Sequence, residues 1–138
     1  MNKGIIIYCD GGSRGNPGKS AAAFVIGENG KRIYSEAKYL GIATNNFAEY
    51  SAVLAALCWL KKNEGKLKGE IVFNLDSELV VRQINGEYKI KNKRLKGIYL
   101  EIKNIIESYP KKIIFKNISR EKNKTADLLV NQKLDSLL

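Results

Sequence analysis

The hydrophobic pattern of the chain changes once, after residue 45, and this change limits the folds that the chain can adopt. Before that point, three segments have the pattern of strands, at residues 4–9, 20–27 and 31–40. After it, helical segments are predicted at 46–62, 77–85, 94–109 and 124–137, and they alternate with strands at 70–75 and 111–118. This order predicts an antiparallel meander followed by parallel strands that are joined through helices.

The predicted fold is therefore α/β, with a five-stranded mixed sheet and helices packed on its faces. A chain of 138 residues without repeats or linkers is long enough for one compact domain, so we assign residues 1–138 to a single domain. Functional sites in open α/β sheets gather at the carboxyl ends of the strands. Asp10 and Asp76 follow two of the apolar strands, which makes them candidates for such a site.

The chain contains no histidine, which excludes Ser-His and Cys-His nucleophile pairs and all histidine metal sites. Its net charge of +10 favours a polyanionic partner, nucleic acid ahead of an anionic membrane, although a lysine-rich surface also serves solubility. No apolar run reaches the length of a membrane span, and the amino-terminal sequence is too short and strand-like for a secretory signal. We therefore expect a cytoplasmic protein without a membrane partner.

The two cysteines, Cys9 and Cys58, lie in apolar segments and lack the spacing of metal ligands. We interpret them as packed thiols, and the sequence leaves open whether they pair with each other. Because no apolar stripe remains once the core positions are assigned, we expect a monomer.

Four carboxylates stand at the ends of predicted elements. Asp10 and Asp76 follow strands, whereas Glu49 and Asp127 lie in the first turns of the long helix and of the last helix. Each has a simpler structural explanation: a turn for Asp10, a capping box for Glu49, a helix cap for Asp76 and the helix dipole for Asp127.

Helices that pack back onto the sheet can bring these four side chains into one space. Like charges at such short distances destabilise a fold unless a cation lies between them. Oxygen ligands of this kind suit Mg²⁺ or Mn²⁺, and a pair of such ions holds both the attacking and the leaving oxygen of a phosphoryl displacement. In a basic chain without histidine, this combination indicates a metal-dependent nuclease.

Four stretches of the sequence resemble, in this order, the motifs of type 1 ribonucleases H, and of the short archaeal and bacterial members in particular. They read YCDGGSRGNPG, TNNFAEYSAVLAAL, LDSELVVRQINGEYKIKNKRL and SREKNKTADLLVNQKLD, and the resemblance covers essentially the whole chain. It implies the ribonuclease H-like fold, with strand order 3-2-1-4-5 and helices on both faces of the sheet. It also implies cleavage of the RNA strand of RNA–DNA hybrids, which leaves 5′-phosphate and 3′-hydroxyl ends.

The resemblance assigns the four carboxylates to catalysis. Asp10, Glu49, Asp76 and Asp127 match the catalytic metal ligands for two Mg²⁺ ions, with Mn²⁺ possible in their place. Asp10 matches the ligand that both ions share.

The resemblance also implies a set of substrate-binding residues: Gly12, Ser13, Asn16, Thr44, Asn45 and Gln83. Asn16 and Thr44 match a pair that holds a phosphate of the DNA strand, and the glycines after Asp10 would let the RNA backbone approach. Asn45 and Gln83 match contacts in the minor groove, where the 2′-hydroxyl distinguishes RNA from DNA. From the residues alone, Asn45 is better explained as a helix cap and Gln83 as a solvated helix position.

The chain departs from the family pattern in two places. Many members carry a histidine in the loop before the last catalytic aspartate; here Arg120, Glu121, Lys124 or no residue takes its place. A long basic protrusion of some members is reduced to GEYKIKNKRLKG. The cations of this basic segment are Lys89, Lys91, Lys93, Arg94 and Lys96, and they form either a backbone-binding patch or a solvated surface.

Two other functions stay open at this point. One is a nucleic-acid-binding module that has lost its chemistry, and the other is a DNA-cleaving integrase, resolvase or exonuclease on the same fold. The sequence also leaves open whether double-stranded RNA is cut and whether Mg²⁺ or Mn²⁺ is preferred.

Overall fold

The computed structural model describes residues 4–137, and its elements follow the predicted order. The strands are β1 (Ile5–Arg14), β2 (Gly18–Glu28), β3 (Lys31–Ala43), β4 (Ile71–Leu75) and β5 (Ile113–Asn117). The helices are α1 (Asn45–Lys62), α2 (Glu78–Ile84), α3 (Lys93–Ser108) and α4 (Lys124–Asp135), with a 3-10 helix at Arg120–Asn123 before α4. Every predicted segment is present, and the largest difference in bounds is at the end of β1.

The strands form one mixed sheet in the order β3-β2-β1-β4-β5, which confirms the predicted topology. β1, β2 and β3 pair antiparallel, whereas β4 pairs parallel with both β1 and β5. The ladder between β1 and β4 ends with Cys9 opposite Leu75, so Asp10 and Asp76 are the next residues on two neighbouring strands. Because neighbouring strands lie about 4.8 Å apart, two carboxylates that are distant in sequence meet at this end of the sheet.

The sequence indicated that Asp10 ends its strand, but in the structure Asp10 lies inside β1. β1 continues to Arg14 because Asp10 to Arg14 stay paired with Ala23 to Lys19 of β2. The glycines after Asp10 predicted a loop, but here they belong to a long antiparallel hairpin. This hairpin carries Ser13 and Asn16 past the end of the parallel ladder.

Helices cover both faces of the sheet, as expected. On one face, α1, α2 and α3 enclose the main core, which includes Ile5, Ile7 and Phe73 of the strands. On the other face, α4 packs alone, and its Val130 and Leu134 cover the small side chains of β2, Ala21 and Ala23. This packing places the start of α4 beside β1, where Asp127 joins the end of the sheet that carries Asp10.

Two expectations about surface residues need correction. Cys9 is buried as predicted, but Cys58 is exposed, and both are free cysteines. The premise of the monomer prediction does not hold along edge strand β3, which exposes Ile33, Tyr34, Tyr39 and Ile42. The oligomeric state therefore stays a prediction. None of the helices in residues 4–137 combines the length and the hydrophobicity needed to cross a membrane.

Candidate active site

The structure brings together three of the four predicted carboxylates, Asp10, Glu49 and Asp76. One oxygen of each lies within 4.8 Å of an oxygen of the other two, a spacing that can hold a metal ion. They line a cavity of about 460 Å³, which we call the acidic cavity. Asp127, in the first turn of α4, lines the same cavity but lies outside this closely spaced set of three.

Glu49 reaches Asp10 because α1 approaches β1 closely at Gly11. A β-carbon at Gly11 would overlap the backbone of Ala48 and would lie 2.5 Å from the amide nitrogen of Glu49. Only glycine fits there without moving α1, so this glycine serves the packing of the helix. Gly12 lines the cavity, and a β-carbon there would come no closer than 3.6 Å to a neighbouring atom, Val130 Cγ1, so Gly12 is better placed for the approach of a ligand.

The helix-capping roles that the sequence offered as simpler explanations for Glu49 and Asp76 are wrong. Thr44 caps α1 and Ser77 caps α2, each through its side-chain hydroxyl. Glu49 lies in the second turn of α1, not in the first, because the helix begins at Asn45. Neither carboxylate is therefore needed to begin a helix.

Burial and mutual repulsion favour the protonated forms of two of these carboxylates. Asp10 is 6% exposed, and burial, followed by the charges of Asp76 and Asp127, raises its pKa to about 7. Burial also raises the pKa of Glu49 well above its usual range; Asp10 and Asp76 add to the shift, and the Gly11 N–H, which donates to Glu49, opposes it.

One oxygen of Glu49, Oε2, is buried without a hydrogen-bond partner. A divalent cation would supply a partner for this oxygen and would remove the repulsion between the carboxylates. The acidic cavity therefore fits a hard metal ion of the Mg²⁺ type.

Three of the predicted substrate-binding residues, Ser13, Asn16 and Asn45, are joined by hydrogen bonds at the amino-terminal end of α1, and Thr44 caps that helix beside them. We call these four residues the amino-terminal cluster; Ser13 and Asn45 also belong to the lining of the acidic cavity. Asn45 Oδ1 accepts from the Ser13 N–H at 2.8 Å, and the Asn45 N–H donates to Asn16 Oδ1 at 3.0 Å. Thr44 Oγ1 accepts from the Phe47 N–H at 3.1 Å. The cap of α1 is therefore Thr44, and the alternative reading of Asn45 as the cap is wrong.

Gln83 lies apart from this cluster and is buried, with 8% of its surface exposed. Its Oε1 accepts from the Tyr50 hydroxyl at 2.5 Å, and its Nε2 donates to the Lys89 carbonyl at 3.3 Å. The alternative reading as a solvated helix position is wrong, because the side chain ties the start of the basic segment to α1. A contact between Gln83 and a nucleic acid stays a prediction.

Positive charge is present at two places around these regions. Arg120 lines the acidic cavity, whereas Glu121 and Lys124 do not. Arg94, from the basic segment, lies over the ring of Phe47 with 3.9 Å between its guanidinium carbon and the ring centroid. Since Phe47 is in the first turn of α1, this contact places one cation of the basic segment beside the amino-terminal cluster.

Two residues of the site lie inside the family motifs but were not predicted to belong to the site. Arg14 lines the acidic cavity and forms an ion pair of 2.7 Å with Asp135. Asn123 is 1% exposed and donates hydrogen bonds to the Cys9 carbonyl and to Asp76. In the sequence both stand among charged or glycine residues, a context typical of solvated loops.

A larger groove of about 930 Å³ lies between β3, α1 and α3. Its lining includes Phe24, Leu54 and Trp59, and among the described residues it contains no cluster of three metal-ligating side chains. Size alone therefore does not locate the chemistry of this molecule.

The chain is similar over nearly its whole length to proteins of known structure. A family model described as reverse transcriptase-like matches residues 8–133. LC11-RNase H1, whose structure was solved in complex with an RNA/DNA hybrid, is 41% identical; the match covers 96% of this chain and 98% of that chain, with a TM-score of 0.90. This chain belongs to the type 1 ribonuclease H family.

Ribonuclease H proteins with lower sequence identity are also similar to this chain over most of its length. RNase H1 of Halobacterium salinarum is 30% identical, with a TM-score of 0.88 over 96% of this chain and 98% of that chain. A bifunctional protein of Mycobacterium tuberculosis is 34% identical over 135 residues, which is 96% of this chain. The chain spans 36% of the length of that relative. Family membership confirms the resemblance that the four sequence motifs carry.

Proposed function

We propose that this protein is an endoribonuclease that hydrolyses the RNA strand of RNA–DNA hybrids and leaves 5′-phosphate and 3′-hydroxyl ends. The observation that carries the proposal is the convergence of Asp10, Glu49 and Asp76 in one cavity of a ribonuclease H family member. The similarity to LC11-RNase H1, which was solved with an RNA/DNA hybrid, supports this substrate. The net charge of +10 supports a polyanionic one.

The residues that would hold two Mg²⁺ ions, with Mn²⁺ possible in their place, are Asp10, Glu49, Asp76 and Asp127. When bound, such a pair stabilises the attacking and the leaving oxygen of an in-line displacement. Asp10 interacts with the other three carboxylates, and we assign to it the position shared by both ions. Glu49 can ligate through Oε2 without giving up a hydrogen bond. Because ligands must be deprotonated, metal binding should release protons from Asp10 and Glu49.

Arg120 takes the place of the absent loop histidine in this proposal, but with a different role. A guanidinium stays protonated at all working pH values, so it does not act as a general base. It can donate two parallel hydrogen bonds to a phosphate. We therefore assign to Arg120 a contact with the phosphate that is cleaved, from its position in the lining of the acidic cavity.

The amino-terminal cluster, together with Gly12 and Gln83, would bind the hybrid. Its internal hydrogen bonds use the carbonyl oxygens of Asn16 and Asn45, so their NH₂ groups stay available as donors. Asn16, Thr44 and Asn45 are exposed. Phosphates and the minor-groove edges of bases offer acceptors to such donors. The cluster thus fixes its donors before a ligand arrives, which lowers the entropy lost on binding.

The test is a cleavage assay on four labelled substrates: RNA–DNA hybrid, double-stranded RNA, double-stranded DNA and single-stranded RNA, each with Mg²⁺, Mn²⁺ or EDTA. We expect cleavage of the hybrid only with a divalent ion, and products that carry 5′-phosphates. Asp10→Asn should not cleave, whereas Glu107→Gln, the same change on the exposed side of α3, should cleave normally. Added cleavage of double-stranded RNA would widen the substrate range.

Two results would overturn the proposal. Tight binding of the hybrid without turnover in either ion would indicate a binding module. Equal cleavage of the DNA duplex would indicate a DNA nuclease. We also propose that the single domain acts as a monomer, which a molar mass of one chain by light scattering, alone and with a short hybrid, would support.

A further inference from the structure

Asn123 ends the 3-10 helix before α4, and its buried side chain lies between the elements that carry three of the aspartates. Its Nδ2 donates to the Cys9 carbonyl at 2.8 Å and to Asp76 Oδ2 at 3.1 Å. Cys9 immediately precedes Asp10, and Asp127 follows Asn123 by four residues in the first turn of α4. One uncharged side chain therefore connects β1, β4 and the start of α4.

The oxygen end of the Asn123 amide shows that this arrangement costs free energy. Asn123 Oδ1 is buried and has no hydrogen-bond partner. Turning the amide over does not remove the cost, because the oxygen would then face the Cys9 carbonyl and the Asp76 carboxylate, which are both acceptors. The fold thus keeps one unsatisfied acceptor in order to present two N–H groups at this point.

The chemistry required at position 123 explains why asparagine occupies it. Aspartate offers no donor, serine and neutral histidine offer one, and asparagine offers two from a single nitrogen. Lysine or arginine would add a positive charge that competes with a metal ion for the carboxylates. Asparagine is therefore the short, neutral side chain that can hold two acceptors together.

We infer that Asn123 is a positioning residue for the metal site, an assignment that rests on the proposed function. Without a metal ion, the charges of Asp10 and Glu49 repel the Asp76 carboxylate and favour its rotation away from them. The hydrogen bond from Asn123 opposes that rotation and occupies Oδ2, so the second oxygen is free of this contact. The bond to the Cys9 carbonyl holds the start of α4, and with it Asp127, against β1.

The test compares metal binding by the free protein, measured by titration calorimetry with Mg²⁺ and Mn²⁺, for wild type, Asn123→Ala and Asn123→Asp. Loss of groups that orient metal ligands typically lowers affinity about 10- to 100-fold, and we expect this for Asn123→Ala. Asn123→Asp should bind the metal ions no more tightly than Asn123→Ala, because its carboxylate places a third acceptor against the Cys9 carbonyl and Asp76. The Mg²⁺ concentration for half-maximal cleavage of the hybrid should rise in parallel, with partial recovery of the rate at high Mg²⁺.

Asn117→Ala is the matched control. Asn117 Nδ2 donates to the carbonyl of Leu75, the residue before Asp76, at 3.2 Å, so the change also removes a side-chain hydrogen bond beside that aspartate. It has no hydrogen bond to a carboxylate, and we expect wild-type affinity for Mg²⁺. If Asn123→Ala does not fold, Asn123→Ser, which keeps one donor, replaces it, and a smaller loss of affinity is expected.

Wild-type affinity for Mg²⁺ in Asn123→Ala, with only a lower melting temperature, would show that the residue is structural and would overturn the inference. An equal loss of affinity in Asn117→Ala would overturn it as well, since the effect would then not require a hydrogen bond to the carboxylate of Asp76. The calorimetry does not depend on cleavage. If wild type binds Mg²⁺ but does not cut the hybrid, the proposed function fails, and the comparison of affinities still decides the role of Asn123.

Discussion

The acidic cavity and the amino-terminal cluster are neighbours, but they differ in whether their polar groups have hydrogen-bond partners. In the acidic cavity, buried carboxylates repel one another, and Glu49 Oε2 has no hydrogen-bond partner. In the amino-terminal cluster, Ser13, Asn16 and Asn45 satisfy one another through backbone and side-chain hydrogen bonds. The first region keeps a buried oxygen without a partner until a ligand binds, whereas the hydrogen bonds that arrange the second are formed before any ligand arrives.

Because of this difference, the two regions should contribute to the free energy of unfolding with opposite signs. Unpaired buried charges and unsatisfied acceptors lower the free energy of unfolding, so the fold does not explain the acidic cavity, but a cation does. A cap and a hydrogen-bonded turn raise the free energy of unfolding whether or not a substrate binds. Removing the charge of Asp10 or Glu49 should therefore remove activity and raise the free energy of unfolding. Substitutions in the amino-terminal cluster should lose some of both.

Asp10→Asn should give the largest effect and should break the link between activity and stability. If Asp10 is the metal ligand that we propose, its loss should remove several kcal/mol of transition-state stabilisation, which corresponds to about a 10³-fold loss of hybrid cleavage or more. In metal-free buffer at pH 8, the free energy of unfolding should rise by about 1–3 kcal/mol, because one buried charge is gone. Cleavage assays and urea unfolding measure the two effects. A variant that loses both activity and stability would show that repulsion does not dominate this region.

The pH dependence of stability should sharpen the same point. Asp10 has its pKa raised to about 7 in the folded state, and that of Glu49 is also raised, so the folded protein holds protons that the unfolded chain has released. The contribution of Asp10 is complete below about pH 4 and is lost as the pH rises through 7, by about 1.4 kcal/mol per pH unit for the retained proton. Glu49 contributes with the same sign. Urea unfolding in EDTA from pH 4.5 to 8 measures it. The difference between wild type and Asp10→Asn isolates Asp10, and a difference independent of pH would contradict the shift.

Magnesium should reverse the instability of the acidic cavity. A ligand that binds only the folded state at 100 times its Kd raises the free energy of unfolding by about 2.7 kcal/mol. We expect a shift of this size in thermal or urea unfolding when Mg²⁺ is added to wild type at pH 8. The shift should largely disappear in Asp10→Asn. Equal stabilisation of both proteins would place the ion outside the acidic cavity.

The fold could be predicted from the sequence because periodicity reports elements directly. Apolar runs, the turn at residues 28–30 and the helical spacing of Ile98 and Ile102 are local signals, and the order of elements then limits the sheet topology. The end of β1 could not be predicted in this way. Pairing of Gly11 to Arg14 with β2 is a contact between strands, whereas the glycine content of this stretch indicates a loop.

The acidic cavity was predictable to the extent that its residues follow strands or begin helices. The register that ends at Cys9 and Leu75 places Asp10 beside Asp76, and the topology follows from the element order. The roles of Asn123 and Gln83 could not be predicted, because each depends on acceptors or donors that only the fold places opposite it. A side chain of this kind has no sequence signal apart from a family motif.

Thr44→Ala should give a smaller effect, in the amino-terminal cluster. Loss of the cap hydrogen bond to Phe47 N–H should lower the free energy of unfolding by about 1 kcal/mol. If Thr44 also holds a phosphate, KM for the hybrid should rise several-fold while kcat changes little, since no reacting atom is touched. Thr44→Ser keeps the hydroxyl and is the control, with nearly wild-type values expected. A change in kcat alone would move Thr44 from substrate binding to the chemistry.

Arg94→Ala should give the smallest effect, and it decides between the two readings of the basic segment. The contact of Arg94 with the Phe47 ring is exposed, so its loss should lower the free energy of unfolding by about 0.5–1 kcal/mol. If Arg94 also meets a phosphate, the slope of log Kd against log salt should fall by about 1, because one fewer counterion is released on binding. Lys112→Ala, which removes an exposed cation outside the basic segment, is the control for general charge. An unchanged slope in Arg94→Ala would mean that Arg94 does not contact a phosphate, and it would favour a solvated surface for the basic segment.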